Sequence, residues 1–266
     1  MTMHEGLIVV TKHDGIATLA MNDPPANTYT YEMMKELDTA ILDVRADDTI
    51  GAIVLTGAGD KFFSAGANIK MLTEVTPKFK YCFCLHANET LSRLEQTPKL
   101  VIAALNGHTV GGGLEIAMAA DIRIARRDGG KVGLPEVNLG VLPGTGGTQR
   151  LARIVGKSRA IELMATGRLL TFEEALELGI VTSIFDGDPK SFREQIVTYT
   201  KQFLPPNKAS KAVGHIKRAV TSGWEMSFQD GLTLERELQQ QLFQSQDAKE
   251  GLGAYIEKRQ PKFTGQ

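Results

Sequence analysis

The chain has 266 residues, 42% of them hydrophobic, enough to bury a sizeable core in one large domain or a domain with an appendage. With 30 basic and 31 acidic residues its formal net charge is −1, and no basic stripe stands out, so nucleic acid is not an expected partner. The apolar runs fall well short of the ~20 residues of a membrane span. The start "MTMHEGLIVV" lacks the charged, apolar and small-residue pattern of a signal peptide, so a cytoplasmic location is expected.

In chain order, "LIVVTKHDGIATLAM" (Leu7 to Met21) reads as a hairpin turning near Asp14 and Gly15. "YEMMKELDTAILDVRAD" carries Met33, Met34, Leu37, Ile41 and Val44 at helical spacing. "GAIVLTGAG" is a short apolar strand, and the small-residue loop in "FFSAGANIKML" (Phe62 to Leu72) opens another helix. A long helix is expected from about Lys78 to Glu95, with the two cysteines, Cys82 and Cys84, inside it. Residues two apart on a helix face different ways, so this pair makes a poor disulfide or metal clip and reads as core. "KLVIAALNG" is a buried-type strand, "TVGGGLEIAMAA" opens a helix, and "DIRIA" is strand-like. Such alternation argues for parallel strands joined by crossover helices. After about Gly187 the pattern is mainly helical, over Lys190 to Phe203, Lys208 to Thr221 and Trp224 to Gln246, with a break at "FLPPNKAS" where Pro205 and Pro206 cannot continue a helix. The expected organisation is an α/β core over 1–190 and a helical region over 191–266.

The stretch "NGHTVGGGLEIAMAADIRIA" (Asn106 to Ala125) places three glycines before a helix, with Glu115 two residues after the last of them. A helix start carries free N–H groups and partial positive charge, and glycines let another molecule approach that backbone. An N–H there suits a developing oxyanion. Close helix–strand packing explains the same glycines equally simply. The loop of "FFSAGANIKML" repeats the arrangement at a second strand end, and the two could lie side by side at one sheet edge, where ligands favour binding.

Other signals fail. "IVGKSRA" has the tail of a phosphate-binding loop, but Leu151 stands where its first glycine belongs. "GTGGTQR" has Gln149 where a dinucleotide fingerprint needs glycine. The histidines at 4, 13, 86, 108 and 215 show no zinc-type spacing. Glu136, between a short strand and a proline–glycine loop, would by itself read as a cap or surface charge.

Four stretches together resemble the crotonase (enoyl-CoA hydratase/isomerase) superfamily: "FSAGANIKML", "VIAALNGHTVGGGLEIAMAADIRIA", "VGLPEVNLGVLPGTGGTQRL" and "EGLGAYIEKRQPKF". Their order and spacing extend the likeness over essentially the whole chain. The resemblance implies an α/β fold, a spiral of repeated ββα units in two sheets, with a C-terminal helical trimerisation region that also caps the active site. It implies an acyl-CoA thioester substrate, a homo-oligomer that is a trimer or a dimer of trimers, and no metal or redox cofactor, coenzyme A being part of the substrate.

By the same resemblance the thioester oxygen would be held by the N–H groups of Ala67 and Gly112. Glu115 and Glu136 match the two glutamates of the hydratases, and the backbone at Gly144 would help position water. Ala65, Asn68, Ile69, Lys70, Met71, Leu72 and Pro143 fall in the substrate-binding stretches. Lys258, Lys262 and Phe263 are candidates for reaching a neighbouring subunit's ligand. The implied activity is reversible hydration of trans-2-enoyl-CoA to 3-hydroxyacyl-CoA, as in fatty-acid or branched, amino-acid-derived acyl-CoA degradation. The alternatives are an isomerase using Glu136 alone and a non-catalytic binding member of the fold. The chain departs from many relatives at Asn68, where they have aspartate, and at Asp23, where several have a basic residue that helps hold the nucleotide. Met71, Leu72, Val75 and Phe79 are the candidates for setting acyl length.

Overall fold

The computed structural model describes residues 6–266. Residues 1–5, half of the segment read for a signal peptide, lie outside the described residues.

The chain begins with the expected hairpin, β1 (Ile8–His13) and β2 (Ile16–Met21), paired antiparallel. Asp14 and Gly15 at its turn both take positive φ, 49° and 77°, which matches the twist of the strands they join. Helix α1 (Tyr31–Ala46) follows, capped by the Thr30 side chain accepting from the Met33 N–H. It buries Met33, Met34, Leu37, Ile41 and Val44, the five residues picked out by their spacing.

Three ββ units come next. β3 (Ala52–Gly57) and β4 (Phe62–Ser64) lead into α2 (Ile69–Glu74) and α3 (Pro77–Glu95). β5 (Leu100–Leu105) and β6 (His108–Val110) lead into α4 (Gly112–Met118), and β7 (Ile122–Arg126) and β8 (Val132–Gly133) into a 3₁₀ turn (Glu136–Leu139). Each unit gives its first strand to a six-stranded sheet of order β1-β2-β3-β5-β7-β9 and its second to a three-stranded sheet of order β4-β6-β8. All pairings except β1–β2 are parallel. Helices α5 (Gly147–Val155), α6 (Lys157–Thr166) and α7 (Phe172–Glu177) precede β9 (Ser183–Phe185).

The run "LVIAAL" of β5 lacks polar alternation because it serves two cores. Val101, Ala103 and Leu105 join the larger core with α1 and α3, while Leu100, Ile102 and Ala104 face the second with Phe192 and Ile196. Those last two belong to α8 (Pro189–Lys201), so residue 190 falls in the first turn of a helix that covers the sheet. α9 (Ser210–Gly223) is tied down by Lys217, whose buried Nζ lies 2.9 Å from Asp121 and donates to the carbonyls of Leu94 and Lys99. α10 (Phe228–Phe243) packs on α9, and α11 (Gln246–Ile256) follows.

Strands β4, β6 and β8 are two or three residues long, too short to display a period; the short strand before Glu136 was expected, and the second sheet they form was implied by the family resemblance alone. The expected core position of the cysteines is corrected. Cys82 is exposed, and Cys84 is half-buried with its Sγ facing Gly144; both are free thiols.

Candidate active site

Each of the three glycines at the start of α4 answers to a different neighbour. Gly111 has φ 58° and ψ −133°, a backbone conformation that side chains rarely permit, and a β-carbon on it would lie 2.9 Å from Glu136 Oε1. A β-carbon on Gly112 would lie 2.3 Å from Tyr29 Oη. On Gly113 it would lie 2.3 Å from the carbonyl oxygen of Ser64 on β4, so plain close packing accounts for the third glycine.

Gly112 is the first residue of α4, where helical N–H groups have no intrahelical partner. Ala67 stands in the loop after β4, in an isolated parallel bridge with Tyr29. That bridge uses the peptides on either side of it: Tyr29 N–H donates to Gly66 O at 2.9 Å, and Asn68 N–H donates to Tyr29 O at 3.0 Å. Among the described residues, neither Ala67 N–H nor Gly112 N–H has an acceptor. The two loops touch, since a β-carbon on Gly66 would be 2.9 Å from Gly112 N. Buried amides fix this geometry. Asn106 Nδ2 donates to Gly57, Gly59 and Phe62 carbonyls, and Asn27 Nδ2 to those of Ala58 and Phe62, so the turn carrying the Ala67 loop is held at several points.

The two carboxylates sit in unlike surroundings. Glu115 is 2% exposed, and its Oε1 accepts from Thr145 N–H and Gly147 N–H, both at 2.7 Å. Burial pushes its pKa up, and those two N–H groups, the second at the positive start of α5, oppose the rise. Glu136 opens the 3₁₀ turn, and its Oε2 is buried without a partner among the described residues. Burial pushes its pKa up to about 7; its own backbone N–H and Lys80 pull down, while Glu115 pushes up. One acid is therefore clamped by backbone donors, and the other is free to exchange a proton near neutral pH.

Both acids open onto one cavity of about 480 Å3. Ala65, Ala67, Ile69, Leu72, Gly112 and Gly144, all singled out in the sequence, line it with them. Lys70 is exposed on α2, Met71 packs against the core, and Asn68 caps α2 by accepting from Met71 N–H. Asn68 thus does without aspartate's charge the capping that its position requires. Pro143 packs beside Gly147, next to the Glu115 clamp, rather than on the cavity wall. Lys258, Lys262 and Phe263 lie at the end of the chain away from this cavity. Lys262 N–H donates to Glu250, and the Phe263 ring lies against Gly251.

Sequence reasoning missed Tyr29, Lys80, Thr145, Leu139, Val141 and Leu142 on the cavity wall. Leu139, Val141, Leu142 and Thr145 carried a signal only as part of the family-like stretch "VGLPEVNLGVLPGTGGTQRL". A larger groove of about 670 Å3 runs between α9 and the α4–α5 region and contains neither acid. Among the described residues no three His, Cys, Asp or Glu side chains cluster as a metal requires, and no helix is long and apolar enough to cross a membrane.

Parallel ββα units that bring two unpartnered N–H groups, a buried carboxylate and a half-buried one onto one cavity have the makings of an acid–base enzyme site. Known proteins agree. The family described as enoyl-CoA hydratase/isomerase matches residues 11–266. A probable enoyl-CoA hydratase of Bacillus subtilis (strain 168) is 38% identical over 252 residues, 94% of this chain and 96% of that one. The short-chain-enoyl-CoA hydratase of Clostridium acetobutylicum is 36% identical over 253 residues, 95% of each. A crystal structure of an enoyl-CoA hydratase from Geobacillus kaustophilus HTA426 superposes with a TM-score of 0.95 at 46% identity, covering 99% of this chain and 98% of that one. The chain belongs to the enoyl-CoA hydratase/isomerase family.

Proposed function

We propose that this enzyme adds water reversibly across the C2–C3 double bond of trans-2-enoyl-CoA thioesters. The observation that carries this reading is the pair of carboxylates facing two unpartnered N–H groups. In the reading, the thioester carbonyl lies between Ala67 N–H and Gly112 N–H. Its polarisation makes C3 electrophilic. Glu115 takes a proton from water as the water oxygen bonds to C3. The electrons of the double bond move toward C2 and the thioester oxygen, and the resulting enolate charge is held by the two donors, each worth ~3 kcal/mol. Glu136, protonated below about pH 7, delivers its proton to C2. The substrate gains the elements of water, and the proton left on Glu115 returns to Glu136 directly or through solvent. Gly144, beside the acids, would offer its backbone to the water. Apolar wall residues Ile69, Leu72, Val141 and Leu142 suit a hydrocarbon acyl group.

The test is spectroscopic. With crotonyl-CoA the conjugated enoyl absorbance should fall while 3-hydroxybutyryl-CoA accumulates, and the same end point should be reached from the product side. No loss of absorbance from 2-enoyl thioesters, with a gain from 3-enoyl thioesters, would replace hydration by isomerisation. A panel of thioesters ranked by kcat/KM would then define acyl length and branching.

The protein is further proposed to assemble as a trimer or a dimer of trimers. Support comes from apolar side chains left in solvent along the C-terminal helices: Val220 and Trp224 at the end of α9, Phe228 on α10, and Tyr255 and Ile256 on α11. In such an assembly Lys258, Lys262 and Phe263, which do not reach the cavity of their own chain, would be available to a neighbour's ligand. Light scattering should give three or six times the chain mass; a monomer at working concentration would remove this proposal.

A further inference from the structure

Tyr29 is buried, 2% exposed, and it meets three segments of the site: the Ala67 loop, the start of α4 and the Thr145 loop. Its backbone pairs with the peptides flanking Ala67, which leaves the Ala67 N–H facing away from the Tyr29 segment. Its ring lies against the Cα of Gly112, where a β-carbon would come within 2.3 to 2.7 Å of Oη, Cε1 and Cζ. Its hydroxyl is 3.1 Å from the hydroxyl of Thr145, whose N–H holds Glu115. Phe83 backs the ring, with centroids 5.7 Å apart. Burial raises the phenol's pKa, so the hydroxyl stays a neutral partner for Thr145. Tyr29 thus joins the Ala67 loop through its backbone, and the start of α4 and the Thr145–Gly147 loop through its side chain.

We propose that Tyr29 is the positioning residue that sets the two oxyanion donors and Glu115 at their working separation. The Tyr29 backbone holds the Ala67 loop, the ring seats the start of α4 that carries Gly112 N–H, and the hydroxyl anchors the loop that clamps Glu115. The inference rests on the hydratase reading of the cavity. Its energetic basis is that misplacing a reacting group by ~1 Å costs ~10²-fold in rate.

The two halves of the role separate by substitution. Tyr29→Phe keeps the ring and removes the anchor. Butyryl-CoA bound to it should show the wild-type lowering of the thioester carbonyl stretch in infrared difference spectra. Its kcat for crotonyl-CoA should fall by ~10-fold with KM within about twofold, because only the Glu115 clamp is loosened. A looser clamp weakens the Thr145 N–H bond that holds Glu115 down, so the acidic limb of its kcat profile should move to higher pH. The charged groups facing Glu115 are Glu136, Lys80 and Arg150, the last paired with Glu95, and all are unchanged in this variant. Tyr29→Leu removes the ring as well. It should lose most of the carbonyl shift and ~100-fold in kcat. Wild-type kcat and pH profile in Tyr29→Phe, a variant isosteric enough to fold, would overturn the hydroxyl's part in the proposal. A folded Tyr29→Leu with the wild-type carbonyl frequency would overturn the ring's part in it. A wild-type protein that neither hydrates crotonyl-CoA nor shifts the butyryl carbonyl would instead overturn the hydratase reading.

Discussion

Glu115→Gln and Glu136→Gln are each expected to lower kcat for enoyl-CoA hydration by ~10²–10⁴-fold, the usual worth of a positioned acid or base. At Glu115 the glutamine carbonyl can still accept from Thr145 N–H and Gly147 N–H, so the clamp survives while the proton acceptor is lost. KM should therefore move less than kcat. The pH dependence follows from Glu136. Its carboxyl is raised to about 7, so it carries a proton below that pH and loses it above. Hydration should accordingly decline as pH rises through about 7, and Glu136→Gln should abolish that decline along with most of the rate. In deuterium oxide, Glu136→Gln should also slow exchange at C2 of a saturated or 3-hydroxyacyl thioester. Glu115→Gln should retain more of it, because the partner proposed for Glu115 is the water at C3. The double variant should fall well short of the product of the single losses, since the pair acts as a unit. If Glu115→Gln hydrates at the wild-type rate while Glu136→Gln is inactive, the two-acid reading fails and a one-acid isomerase takes its place.

What the sequence made legible was whatever sits in a loop at the end of a long strand. β3 and β5 are apolar along their length, so the small-residue stretches a few positions beyond them, with Ala67 after β4 and with Gly111 to Glu115 after β6, stood out as ligand-facing. Glu136 became visible only as part of a pattern, because its environment is made by burial and by Glu115, neither of which its own neighbours in sequence reveal. Tyr29 and Lys80 were invisible for a related reason. Each lies in a stretch with ordinary helical or loop composition, and each becomes a site residue only when the chain folds it against another segment: Tyr29 on Gly112 and Thr145, Lys80 within reach of both acids. The second sheet was legible only through the family resemblance, because its strands are shorter than one readable period. Cys82 misled because a helix with apolar neighbours was read as buried all round, whereas α3 buries only the face of Phe83, Ala87, Thr90, Leu91 and Leu94.

Gly112→Pro is expected to cut hydration by at least ~100-fold, on the worth of one oxyanion donor. Proline is tolerated at the first position of a helix, where its missing N–H breaks no intrahelical bond, so α4 should survive. The structure adds a second cause that the first must be separated from. Any β-carbon at this position meets Tyr29 Oη at 2.3 Å, so Gly112→Ala, which keeps the N–H, should also be impaired as the ring is pushed aside. The separation comes from making room. In a Tyr29→Leu background both substitutions have space, and whatever the background itself loses is common to the two. The remaining ratio of Gly112→Ala to Gly112→Pro then measures what the N–H still contributes, and it should stay well above one yet short of ~100-fold, because Tyr29→Leu has already disturbed the oxyanion geometry, with circular dichroism confirming that both are folded. A ratio near one would mean that Gly112 is there to admit Tyr29 and that the thioester oxygen is held elsewhere. A ratio of the expected size, with the carbonyl stretch of bound butyryl-CoA less shifted in the proline variant than in the alanine one, would assign the donor to this one peptide N–H.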